Sequence, residues 1–168
     1  MGIFDFLVKK PMDNWSKIIK QELLFDLSAK SLNGITFGEE YKRLMTFGKP
    51  NNKDAYQEGK FVYLPLGLEV EIKKDKISQF GFILQDEFNE GFNYNKTQLI
   101  LNDKKEELTV KTTLENMNSL FGAPYNFEET KEELITFYKI NGLMLEMEFS
   151  KEKKLKRVNI YSEKKGHS

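Results

Sequence analysis

The chain contains no cysteine. Disulfides, thiolate nucleophiles and thiolate metal sites are therefore excluded, and the composition suits a reducing compartment. Histidine is almost as scarce. The single one, His167, is next to last in a polar tail, Lys164-Lys165-Gly166-His167-Ser168. A catalytic base has to be held in place, and tails of this kind are poor holders. Without a second His and without Cys, Ser-His-Asp and Cys-His triads and the usual zinc sites are excluded. Neither sign of charge is in surplus: 26 basic residues stand against 26 acidic ones. The chain as a whole has no electrostatic reason to seek nucleic acid. Neither the Walker spacing nor G-x-G-x-x-G is present, so no phosphate loop is encoded.

Long apolar runs are missing too. No segment reaches the roughly 18 apolar residues that a membrane helix needs. Met1–Lys10 begins apolar, but the run is short and its charges follow it, the wrong order for a secretory signal. Gly2 is not followed by Ser or Thr at position 6, which is Phe6, so no myristoylation signal is written. The expectation is an unprocessed cytoplasmic protein without membrane contact, with Ile3, Phe4, Phe6 and Leu7 docked on the core.

What is present is a pattern stated twice. Phe47-Gly48-Lys49-Pro50 returns as Phe121-Gly122-Ala123-Pro124. Leu68-Glu69-Val70-Glu71-Ile72 returns as Leu143-Met144-Leu145-Glu146-Met147, and Phe80 and Phe82 return as Val158 and Ile160. A duplicated unit constrains architecture strongly. Tyr41, Leu44 and Met45 form the stripe of one short helix opened by Gly38-Glu39-Glu40; Leu114, Met117, Leu120 and Phe121 form that of a second, opened at Thr112 or Thr113. Gly and Pro close both helices. A further helix through Trp15, Ile18, Ile19 and Leu23, capped by Asp13 or Asn14, is expected ahead of them.

Strand patterns follow each helix: Phe61–Leu64, Leu68–Ile72 and Ser78–Leu84, then Leu134–Tyr138, Leu143–Phe149 and Leu155–Tyr161. Leu24–Leu27 and Gln98–Leu101 read as a further matched pair of short strands. Asn141-Gly142 signals a tight hairpin. Strict alternation, as in Leu143, Leu145, Met147 and Phe149, means one buried and one wet face. The expected fold class is α+β, with two tandem repeats, each a helix followed by antiparallel strands, and the helices covering the buried face. The boundaries are 1–34 for an N-terminal helix and first strand, 35–84 for one repeat, 85–96 for a connecting loop, 97–162 for the second repeat and 163–168 for a tail. The predicted core includes Leu44, Leu68, Val70, Phe82, Met117, Leu143, Leu145 and Ile160.

Few residues remain for chemistry. Asp86–Gly91 resembles a calcium loop only until its third position, Phe88, where an oxygen ligand is required. Glu128-Glu129 and Glu132-Glu133 read as a solvated loop before a strand. Glu69, Glu71, Glu146 and Glu148 occupy sheet positions where carboxylates could face one another across a cleft, as in a glycosidase; the plainer reading is a wet sheet face. Lys151, Lys153, Lys154, Lys156 and Arg157 read as a charged turn and wet strand edge, with too few aromatics for a nucleic-acid platform. Residues 85–96 form a long aperiodic connection carrying Phe88, Phe92 and Tyr94, and long loops are disproportionately functional.

Two helix-then-strands copies closed by Gly48-Lys49-Pro50 and Gly122-Ala123-Pro124 resemble the β-lactamase-inhibitor-protein-like architecture. The single unit is similar to the small outer-membrane assembly lipoprotein of the BamE kind. The resemblance spans residues 35–161 and implies binding of another protein through sheet and loops. The leading expectation is therefore a non-catalytic protein-binding module of immunity or inhibitor type, monomeric or weakly dimeric, without cofactor, metal or nucleic acid. Its candidate contact residues are Phe88, Phe92, Tyr94, Met144, Arg157 and Tyr161. A small-ligand binder or carboxylate-dependent enzyme, and a phage-type or assembly accessory protein, are the alternatives.

Overall fold

The computed structural model describes residues 12–84 and 97–163. Strands β1 (Leu23–Asp26), β2 (Ser31–Leu32) and β3 (Ile35–Thr36) come first, then β4 (Lys60–Tyr63), β5 (Leu68–Lys73) and β6 (Lys76–Ile83). The second half supplies β7 (Thr97–Leu101), β8 (Lys104–Leu108), β9 (Asn126–Glu129), β10 (Glu133–Ile140), β11 (Leu143–Ser150) and β12 (Leu155–Ser162). They form two sheets, in the orders β3-β2-β1-β7-β8 and β4-β5-β6-β12-β11-β10-β9. Neighbours run antiparallel except β1 and β7, which pair parallel with Phe25 opposite Leu99.

Alternation governs the packing. Leu68 and Val70 of β5, Phe80 and Phe82 of β6, Leu143, Leu145 and Met147 of β11, and Val158 and Ile160 of β12 are fully buried. They meet Leu23, Phe25, Leu32 and Leu99 of the other sheet in one core. The Phe25 ring lies 5.8 Å from that of Phe80 and 6.1 Å from that of Phe82, so the sheets touch directly. Burying one such side chain is worth roughly 1.5–3 kcal/mol. All eight predicted core residues are buried.

The α+β expectation is corrected here. The protein is mostly β, and its buried sheet face is covered chiefly by a second sheet. Alternation states that a face is dry but not what dries it, and the helices are too short for that task. Nor is either half a helix-plus-strand repeat, because each gives strands to both sheets. The halves meet along β1–β7 in one sheet and β6–β12 in the other.

Further corrections concern the helices. Residues 15–22 contain no helix; they run as a strap past the end of a 3-10 helix over Tyr41–Phe47. Ile19 N–H donates to Phe47 O at 3.1 Å and Lys49 N–H to Ser16 O at 2.7 Å. Trp15 stacks on Tyr41 and Phe61. The 3-10 period of three puts Tyr41, Leu44 and Phe47 on the buried side and leaves Met45 exposed, against expectation. A one-turn helix α1 (Ala55–Glu58) precedes β4. Helix α2 (Leu114–Phe121) is α-helical, with Thr113 and Asn116 forming a capping box. Asn141 and Gly142 both take the positive φ their hairpin requires, 52° and 74°.

Candidate functional site

The outer face of the seven-stranded sheet carries a ladder of polar side chains along its middle. One row across the strands reads Val62, Glu69, Gly81, Asn159, Glu146, Phe137. Same-row residues on adjacent strands touch, so register alone assembles the ladder. Lys60 Nζ lies 3.0 Å from Glu69 Oε2, which also pairs with the Arg157 guanidinium. Arg157 Nε donates to Asn159 Oδ1 at 3.1 Å, and Asn159 Nδ2 donates to Glu146 Oε1 at 3.0 Å. The Tyr161 hydroxyl donates to Glu146 Oε2 at 3.4 Å. A Cβ at position 81 would lie 3.0 Å from Asn159 Oδ1, so glycine leaves room for the amide and guanidinium above it.

Electrostatics follow from this crowding. Burial pushes the Glu148 carboxyl above its ordinary range; Arg157 pulls it back, and Glu133 and Glu146 push it further up. Burial, then the charge of Glu146, pushes the Tyr161 phenol up. Glu69 and Glu146, which the sequence places where carboxylates could cooperate, are each engaged by neighbours across the sheet. The ladder acts as a cross-strand tie between the two halves. Among the described residues, no group of three or more His, Asp or Glu is placed to hold a metal ion.

Beyond the Tyr161 end of the ladder is a groove of about 870 Å³. Phe37 and Gly38 follow β3 on one side; Ile77, Ser78 and Gln79 of β6 form the floor; Met144 and the Tyr161–Glu163 segment close the other side, with Lys73 at its margin. Gln79, Tyr161 and Met144 are consecutive in one cross-strand row.

The sequence-derived site residues thus divide. Met144 and Tyr161 come together in the groove. Arg157 stands apart in the ladder, on a central strand instead of the expected sheet edge. Phe88, Phe92 and Tyr94 lie outside the described residues. Sequence reasoning missed Phe37, which the β2–β3 hairpin brings to the groove. It also missed Tyr125 and Phe127, which are 66% and 61% exposed at the β9 edge. Residues 126–129, read as part of a loop region, form that strand; two aromatics at spacing two were the available signal.

A DUF4309 family protein (YjgB) from Bacillus subtilis has a similar fold, with a TM-score of 0.55 and 13% sequence identity over 78% of this chain and 84% of that one. At that identity the likeness concerns the fold alone. No family model and no curated protein matches the chain. Among the described residues, no helix is long and apolar enough to cross a membrane.

Proposed function

We propose that this is a non-catalytic protein-binding module of immunity or inhibitor type, acting in the cytoplasm. The observation that carries the reading is the contrast across the outer face. The ionisable groups of the ladder are spent on one another, which leaves no paired nucleophile and base among them. The adjoining groove offers Phe37, Met144 and the Tyr161 ring to a partner side chain above buried Ile77, rimmed by Lys73 and Glu163. Apolar centres with polar rims are what protein interfaces use. The groove volume also falls within the range of small-molecule pockets, about 300–1,000 Å³, so a small-ligand binder is the second reading.

The test is a photo-crosslinking residue placed at Met144 in the source cells, with a control at Lys105 on exposed β8. One discrete protein adduct at 144, absent at 105 and lost with Tyr161→Ala, supports a binding module. No adduct, or the same adducts at both positions, overturns it. Saturable stabilisation of the purified protein by one compound from a metabolite panel, lost with Met144→Asp, would instead favour the ligand reading.

A further inference from the structure

The two ends of the seven-stranded sheet are finished differently. At one end, β4 would expose its free edge, but the Asn51-Asn52 segment seals it. Asn51 N–H donates to Val62 O at 2.7 Å, and Asn51 Oδ1 accepts from Leu64 N–H at 2.8 Å. Asn52 Oδ1 accepts from Val62 N–H at 3.0 Å, and Asn52 Nδ2 donates to Lys60 O at 2.7 Å. At the other end, among the described residues, β9 pairs only with β10. All four of its residues are exposed. Among the described residues, no side chain or loop backbone bonds to its outer side. A bare edge is a template for another strand, and proteins normally blunt it.

We propose that β9 accepts an added strand from a partner, and that the added segment is extended and basic. Three observations select this occupant. The backbone edge is open. Tyr125 and Phe127 are the two most exposed large apolar side chains among the described residues; Phe127 belongs to β9 itself, while the Tyr125 ring just before it lies 3.8 Å beneath Lys139 Nζ of β10. Glu128, Glu129 and Glu132 have no ion-pair partner among the described residues, and residues 125–133 carry four acids against the single base Lys131, so the edge presents net negative charge. That charge disfavours a second copy of this chain, because pairing two β9 strands would crowd Glu128 and Glu129 of both copies along one seam. It favours Lys or Arg on the incoming strand, with backbone hydrogen bonds supplying affinity and side-chain pairing supplying choice. This surface is separate from the Met144 groove.

The experiment is an NMR titration of the full chain, to millimolar concentration, with an eight-residue peptide alternating Lys with Val or Thr. Three comparison peptides are used: one with Glu for Lys, one N-methylated on alternate amides, and one carrying central proline. Saturable shifts and slowed amide exchange confined to residues 125–137 are expected with the Lys peptide alone, weakening as salt rises. The double variant Glu128→Lys, Glu129→Lys should bind the Lys peptide about tenfold more weakly or worse and should take up the Glu peptide. Met144→Asp should leave binding unchanged, so failure of the groove reading and of this one are distinguishable. Equal binding of the N-methylated peptide would reduce the effect to surface charge and overturn the proposal. So would shifts elsewhere, no saturation, an unaltered preference in the charge-swap variant, or β9-dependent dimerisation of the free protein in sedimentation.

Discussion

Gly48 and Gly122 close the two helices that the repeated Phe-Gly-x-Pro motif announces, and their backbones are nearly the same: φ 87°, ψ −167° and φ 82°, ψ −164°. This is a region only glycine enters without strain. Their surroundings are opposite. A Cβ on Gly48 would sit 2.4 Å from the Lys17 carbonyl oxygen and 2.8 Å from Ile18 Cα, inside the strap. A Cβ on Gly122 would meet nothing within 4 Å. A local motif can thus be written twice and used once for tertiary contact. The first helix end is a dock for chain 15–22, which supports the sealed β4 end. Among the described residues the second has no strap, and the sheet beside it ends in β9, with Phe127 exposed.

This contrast can be broken by measurement. The largest effect is expected at matched phenylalanines. Phe61 of β4 is fully buried, its ring 6.1 Å from that of Trp15 and 5.9 Å from that of Tyr41. Phe61→Ala should cost about 3–5 kcal/mol in denaturant unfolding, whereas Phe127→Ala should stay within about 0.5 kcal/mol. Comparable losses would mean that β9 is covered after all.

The glycines come next. Gly122→Ala should cost about 1–3 kcal/mol from backbone strain alone, and Gly48→Ala should cost clearly more, because the strap has to move. Equal melting temperatures for the two variants would show that the strap is not docked. A smaller loss, about 1–2 kcal/mol, is expected for Asn52→Ala, which removes the side-chain partners of Val62 N–H and Lys60 O. The same variant should gain a tendency to associate, since it bares a second edge; an unchanged sedimentation profile at high concentration would argue against that.

The smallest effect concerns Glu148, on the β11 side of the ladder. Its raised pKa means the folded protein keeps a proton that the unfolded chain has released. Its contribution to stability therefore falls as pH rises from the ordinary carboxylate range to the raised value. Glu148→Gln abolishes that titration, so its melting temperature should gain on the parent as pH rises through the window and converge in acid. Parallel profiles would mean that Glu148 does not carry the shift.

Much of the second sheet was legible in sequence. The longer strands β5, β6, β10, β11 and β12 announce themselves by alternation, and Asn141-Gly142 fixes a hairpin register that propagates across its neighbours. Of the shorter strands, β1, β4 and β7 were legible as brief apolar runs, whereas β2, β3, β8 and β9 were not. Lys104–Leu108 and Asn126–Glu129 are too polar to stand out, and pairing with a longer neighbour decides their conformation. Trp15, Ile18 and Ile19 have helical spacing, yet strap contacts outweigh it and Ile19 is left 47% exposed. For the site, Met144 and Tyr161 could be placed on the wet face from parity alone. Arg157 could not be matched to Glu69, 88 positions away, because that pairing depends on β6 meeting β12.

That same meeting sets a timetable for synthesis. Leu23, Phe25 and their neighbours in β1 leave the ribosome early, but their parallel partner ends only at Leu101. The centre of the other sheet cannot close until β12, whose last residue is Ser162, has been made. Loop-closure entropy therefore falls due late, and little of the nascent chain can bury its apolar stripes beforehand. Until then the molecule is a pair of unfinished sheets, the state in which a chain leans most on chaperones.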